Sequence, residues 1–263
     1  VRFASLVAII KLMNIVFDIG GSKMRVASSN DRQALNEAVI LPTLKNFDDG
    51  FARLVSIIKD VAGKQTVESV TGGIAGRLNN DKSQLQVATN LPDWAGKSFK
   101  QKLIDEFNCK VLIENDAALG AIGEATFGAG KNFSSVMFIT IGTGLGGAWI
   151  IDGKLAGNKN FEPGQHILNS EKNSTWENLV DAAPTPAEQI HYLALGLNNA
   201  LQFWPSDIII LGGGKTIHKG WQPDAVNNEL RRVSQANVVI PEVILTSLGD
   251  RATLYGALHL INS

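Results

Sequence analysis

A strand, a glycine-rich turn and a second strand occur twice in this chain, once in each half: NIVFDIGGSKMRVAS at 14–28 and VMFITIGTGLGGAWIIDG at 136–153. In both copies apolar β-formers flank residues without a Cβ, which a tight hairpin turn needs. Beyond each copy, helices and strands alternate. After the first, Phe51, Leu54, Val55, Ile57 and Ile58 recur at helical spacing within 50–61; 69–74 reads as a strand, 97–107 as a helix, 110–113 as a short strand and 117–127 as a small-residue helix. After the second, 187–203 reads as a long helix, 207–211 as a strand of nearly pure isoleucine, and 252–261 as another small-residue helix, with Gly256 inside it suggesting close helix packing. An uninterrupted apolar strand implies burial on both faces. The expectation is an α/β protein of two duplicated lobes, 1–117 and 118–250, with the 251–263 helix free to pack back on the first.

With 263 residues, 44% of them hydrophobic, the chain can build two cores on either side of a cleft. Its 24 Lys+Arg balance 25 Asp+Glu and no basic run exceeds two residues, so nucleic acid is not an expected partner. Cys109 stands alone, which excludes an intramolecular disulfide and a multi-cysteine metal site and fits a reducing, cytoplasmic setting. The apolar run between Arg2 and Lys11 is too short to span a bilayer and precedes no small-x-small cleavage site, so no membrane association is expected. Residues 1–12 read instead as an extension ahead of a natural start at Met13.

The chemistry-bearing residues cluster at the turns. Backbone N–H groups converge on phosphate oxygens where no side chain intervenes. In Asp18-Ile19-Gly20-Gly21-Ser22-Lys23 a carboxylate ends the strand beside such a turn, where it could hold Mg²⁺ directly or through water. Gly142-Thr143-Gly144-Leu145-Gly146-Gly147 offers a hydroxyl and four glycines. Either alone reads equally as a plain hairpin; two, one per half and one with Asp, point to phosphate. A third run, Leu211-Gly212-Gly213-Gly214-Lys215, follows a buried strand and is either an adenine platform or an ordinary strand-to-helix connection. In Ile113-Glu114-Asn115-Asp116-Ala117-Ala118 a strand runs into a helix, and strand ends of such sheets face the ligand crevice. Asp116 there could take a hydroxyl proton as a phosphoryl group arrives; alternatively, Asn115 or Asp116 caps the helix.

These motifs, with GGIAGRL (72–78), TNLPDWAG (89–96), ENDAALGAIGE (114–124), ILGGG (210–214) and LGDRATLYGALHL (248–260), come in the order of the ROK family of bacterial sugar kinases, open reading frames and transcriptional repressors, which the chain resembles from Asn14 almost to its C-terminus. The resemblance implies a two-lobed actin/hexokinase-like (ribonuclease H-like, ASKHA) fold with ATP and Mg²⁺ between the lobes. It also implies γ-phosphoryl transfer to a hexose or N-acetylhexosamine, as in a glucokinase. By the same resemblance Asp116 is the catalytic base, Asn115 its neighbouring sugar ligand, and Asn90 and Gly73 line the sugar site. Gly20, Gly21, Ser22, Lys23, Gly142, Thr143, Gly144 and Gly146 would hold the nucleotide phosphates, Asp18 the accompanying Mg²⁺, directly or through water, and Gly213 and Gly214 the adenine; Trp94 is expected only to pack.

The chain departs from the family at Phe161-Glu162-Pro163-Gly164-Gln165-His166-Ile167. The family has Glu-x-Gly-His followed by zinc-binding cysteines; here Glu162 and His166 are four apart rather than three, and the cysteines are absent. Structural zinc takes four N or S ligands, so none is expected. Alignment through His166 is favoured, leaving it as a sugar ligand or an ordinary histidine, with Glu162 as the other candidate. Glu177 resembles the family glutamate that reaches the sugar. A repressor needs a helix-turn-helix ahead of the first hairpin, where only thirteen residues precede Asn14. A kinase is therefore expected, with three readings beside it: a catalytically silent sugar- or nucleotide-binding protein, a kinase of another small alcohol, and a homodimer as the assembly.

Overall fold

The computed structural model describes residues 12–157, 162–218, 221–235 and 239–263; the extension proposed ahead of Met13 falls almost wholly outside them. The first half runs β1 (Leu12–Ile19), β2 (Lys23–Ser29), β3 (Val39–Pro42), α1 (Phe47–Ala62), β4 (Thr66–Ile74), β5 (Arg77–Leu78), β6 (Leu85–Val87), α2 (Phe99–Phe107) and β7 (Lys110–Asn115). Then come α3 (Asp116–Phe127), β8 (Ser135–Ile141), β9 (Leu145–Ile151), β10 (Lys154–Leu155), β11 (Ile167–Asn169), β12 (Ser174–Thr175), α4 (Trp176–Ala182) and α5 (Pro186–Leu201). The chain closes with β13 (Ile208–Gly212), α6 (Gly214–His218), α7 (Pro223–Val233), β14 (Glu242–Leu245) and α8 (Ala252–Ile261).

Two five-stranded sheets share one topology. The first has the order β3-β2-β1-β4-β7 and the second β10-β9-β8-β13-β14. In each, an antiparallel meander supplies three strands and two parallel strands follow on the far side of the first. The duplicated hairpins read from the sequence are β1–β2 and β8–β9, at equivalent places in the two sheets. β1 and β13 are interior strands, which is why every residue of β13 and all but Leu12 of β1 are buried.

Each half has its own core. Phe17, Phe47, Leu54, Trp94 and Phe99 anchor the first, and Trp94 is indeed a packing residue, edge-on to Phe47 with its Nε1–H donating to the Leu44 carbonyl. Trp176, Leu193, Leu197, Ile209 and Leu211 anchor the second. A third cluster lies between the sheets, and two exchanged helices build it. α3 continues from β7 of the first sheet yet packs on β8 and β9 of the second; α8 continues from β14 of the second yet packs on β1 and β4 of the first. The helices cross at glycines. A Cβ on Gly123 would lie 2.1 Å from the Ala252 carbonyl oxygen, and one on Gly256 1.9 Å from that of Leu119, so the backbones touch where side chains are missing.

Candidate active site

The first turn is oriented by the chain that precedes α1. Thr43 Oγ1 donates to the Gly20 carbonyl (2.8 Å), Thr43 N–H to the Ser22 carbonyl (3.0 Å) and Lys45 Nζ to the Gly21 carbonyl (2.5 Å). Gly20 N–H closes the turn on the Lys23 carbonyl at 2.9 Å. With its carbonyls drawn to residues 43–45, the turn leaves the N–H groups of Gly21 and Ser22 without an acceptor among the described residues. That is the polarity an anion needs.

The second turn faces it. Gly142 N–H bonds the Gly144 carbonyl (2.8 Å), and Leu145 N–H is held by Glu177 Oε2 at 2.8 Å from the first turn of α4. Ser22 and Thr143 share a hydroxyl–hydroxyl hydrogen bond of 3.0 Å, which brings the two turns together. Asn90 lies between them: a Cβ on Gly21 would sit 2.7 Å from Asn90 Cβ, and one on Gly144 3.5 Å from Asn90 Nδ2. Lys45 ties the same place from outside, donating to the Asn90 carbonyl at 2.8 Å as well as to Gly21.

Asp18, at the end of β1, is opposite Arg25 of β2 and beside Gly73 of β4. Arg25 Nη1 donates to Asp18 Oδ2 at 2.9 Å while Nη2 pairs with Asp250 Oδ2 at 2.8 Å. Burial pushes the Asp18 carboxyl up to about 7; the charge of Asp116 adds to this and Arg25 opposes it. Asp116, the first residue of α3, is raised to about 6, chiefly by burial and further by Glu162, while the Ala117 N–H at 2.9 Å acts against the shift. The charge of Asp116 acts on Asp18 beside turn N–H groups that have no acceptor among the described residues, an arrangement that can take an anion together with its counter-cation. Among the described residues no three His, Cys, Asp or Glu side chains gather to hold a metal by themselves, so such a cation would take its remaining ligands from phosphate and water.

Gly73 is required by closeness: a Cβ there would lie 2.9 Å from Asp116 Cα and 2.7 Å from the Thr253 methyl. Gly146 has a similar part, its Cβ position being 3.1 Å from that of Ala117. Asn115 caps α3, accepting from Ala118 N–H and donating to the Gly76 carbonyl, both at 3.0 Å, so most of its amide is engaged within the protein. Gly213 has φ +91° and lies against Ile141, whose carbonyl oxygen would be 2.5 Å from a Cβ; Gly214 opens α6. The side chain of Lys23 is exposed.

Both loop candidates, Glu162 and His166, are solvent-exposed, and they have different neighbours. His166 is exposed and its Nε2 lies 3.2 Å from Asn199 Nδ2 on α5. Glu162 is the residue whose charge reaches Asp116; its own carboxyl is raised by desolvation, lowered by Arg77 and raised again by Glu177. Sequence reasoning missed Arg25, Lys45, Arg77 and Asp250. Only Arg25 had a readable signal, since a tight hairpin places it across from Asp18.

A family model described as "ROK family" matches residues 14–175. An uncharacterised protein of Clostridium perfringens is 27% identical over 82% of this chain and 86% of its own length. A glucokinase of Streptomyces coelicolor is 32% identical over 54% of this chain, and an N-acetyl-D-glucosamine kinase of Vibrio cholerae is 30% identical over 64%. The matched region spans about half of these two kinases, 45% and 56% of their lengths. The crystal structure of a ROK family glucokinase from Streptomyces griseus in complex with glucose and AMPPNP superposes with a TM-score of 0.81 at 23% identity, covering 94% of this chain and 98% of that one. At that identity the likeness is one of fold.

Proposed function

The chain belongs to the ROK family, and from that premise we propose that it is a sugar kinase, transferring the γ-phosphoryl group of ATP to a hydroxyl of a hexose or N-acetylhexosamine. The observation that carries the reading is the meeting of two glycine turns at Ser22 and Thr143, one beside Asp18 and both beside Asn90. The free N–H groups of Gly21 and Ser22 would receive phosphate oxygens, and Asp18 would hold, directly or through water, the Mg²⁺ that accompanies the nucleotide, whose chemistry would be to neutralise charge on the phosphates. Asp116 accepts the proton of the attacking hydroxyl, Asn90 and Glu162 orient the sugar, and Asn115 sets the position of Asp116 by capping α3. A base near 6 is ionised at neutral pH yet still basic enough to take that proton. Closure of the two lobes, divided near residue 117, excludes water and so suppresses ATP hydrolysis. The glucokinase and the N-acetylglucosamine kinase among the relatives support both acceptor classes.

The test is ADP release with Mg·ATP across glucose, fructose, mannose, N-acetylglucosamine, N-acetylmannosamine and no sugar. Sugar-dependent release is expected, and Asp116→Asn should cut turnover at least about a hundredfold while leaving sugar affinity nearly unchanged, as loss of a general base does. Wild-type turnover in that variant would place the base elsewhere. No release with any sugar, while one still raises the melting temperature, would replace the kinase by a sugar-binding protein.

A further inference from the structure

Arg25 is a side chain that the proposed chemistry does not use and that the fold nevertheless engages at two corners. Its guanidinium lies between Asp18 of β1 and Asp250 of the short turn ahead of α8, with ion pairs of 2.9 and 2.8 Å. Both contacts with Asp18 and Asp250 go to a single carboxylate oxygen, Oδ2 in each case, so Asp18 Oδ1 keeps no partner among the described residues. The third corner, Nε–H, is buried with no acceptor. A guanidinium placed only to satisfy its own hydrogen bonds would not leave that donor orphaned. The arrangement is one in which bridging two carboxylates decides where the group sits.

The bridge also joins segments far apart in sequence. Asp18 belongs to the first sheet; Asp250 follows the second and leads into α8, whose Thr253 hydroxyl donates to the Asp116 carbonyl at 3.3 Å. We propose that Arg25 is a positioning residue for the nucleotide's cation: its planar fork, fixed at one end by Asp250, turns Asp18 so that Oδ1 faces the turn at Gly20 and Gly21. Lysine carries the charge but lacks the fork, and a single ammonium does not reproduce two directed contacts. The inference rests on the kinase reading, because it assumes that the Asp18 side receives Mg²⁺ with a nucleotide.

The experiment measures the Kd of AMPPNP by calorimetry with and without Mg²⁺ for the wild type, Arg25→Lys and Asp250→Asn, alongside KM for ATP and for the sugar. Melting temperatures establish that each variant is folded. The wild type should bind more tightly with Mg²⁺. Arg25→Lys should lose about tenfold or more of that Mg²⁺-dependent gain, the scale typical of residues that orient a metal ligand, with KM for the sugar unmoved. Asp250→Asn, which leaves the Arg25–Asp18 pair in place, should lose less in the same direction. A gain equal to that of the wild type in folded Arg25→Lys overturns the inference and leaves the kinase reading standing. If Arg25→Lys does not fold, a wild-type gain in Asp250→Asn overturns it. A wild type whose affinity ignores Mg²⁺ overturns the inference and removes the Asp18 part of the kinase reading, whereas sugar-dependent ADP release tests that reading separately.

Discussion

The turn at residues 20–22 and its counterpart at 142–144 occupy the same place in sheets of the same strand order, but they are held by opposite means. The first is gripped through its carbonyls, by Thr43 and the ammonium of Lys45. The second is gripped through an N–H, by the carboxylate of Glu177. One strand leading into a turn ends in the buried, ionisable Asp18; at the matching place before the other stands the neutral Thr140. The two sheets therefore repeat one frame, while the charges that make the turns different come partly from the first hairpin itself, at Asp18 and Arg25, and partly from the segment before α1 and from α4. Around the first turn stand the cationic Arg25 and Lys45; at the second, one carboxylate acceptor holds the Leu145 N–H.

Substitutions in matched pairs test this contrast. Gly21→Ala puts a Cβ 2.7 Å from Asn90 Cβ, a branch point that moves only with its backbone, whereas at Gly144 the nearest atom is Glu177 Oε2, 3.1 Å away at the end of a side chain that can swing. Misplacement by about 1 Å can cost a hundredfold, so Gly21→Ala should lower kcat/KM by about that factor. Gly144→Ala should lose about tenfold or less, since its obstacle is a mobile carboxylate. Equal losses would mean that the turns are equivalent after all. Next in size, Lys45→Met releases two carbonyls and should cost about tenfold in kcat/KM, on the scale of charge-assisted hydrogen bonds. Glu177→Gln keeps an acceptor for Leu145 N–H and should cost about threefold or less; the reverse order would make the acidic support the more important.

The smallest effect is in the pH profile. As the proposed base, Asp116 works as a carboxylate, so kcat/KM should fall as pH drops through about 6. Glu162 raises that value by its charge, so Glu162→Gln should move the acid limb to lower pH by some tenths of a unit, on the scale of one partly screened charge. An unmoved limb would show that burial alone sets the Asp116 carboxyl.

Elements with a strong local signal were legible in the sequence. Glycines between apolar strands marked both hairpins, 252–261 coincides with α8, and the strand-to-helix junction at Asp116 is where it was expected. Of the two readings weighed for the junction, the cap is seen at Asn115, which accepts from Ala118 N–H, while Asp116 is the first residue of α3. The parts that were not legible depend on residues distant in sequence. Asp250 meets Arg25 only once α8 has docked on the first sheet, and Lys45 gains meaning only when residues 21 and 90 come together. Glu162 and His166 were both legible as candidates, but the influence of Glu162 on Asp116 depends on the fold and could not be read from spacing.

The exchange of α3 and α8 also bears on how the protein is made. During synthesis β1, β2, β4 and β7 emerge early, but the helix that covers β1 and β4 is at the far end of the sequence, and α3 waits for strands not yet translated. Domains usually fold as units, the N-terminal one first; here the first sheet cannot complete its own cover until the ribosome has delivered the second. The nascent first half should therefore display an apolar face, Val16 and Ala27 on the sheet with Leu119 and Ile122 on α3, as a surface for chaperones, and the enzyme should become protease-resistant in one late step.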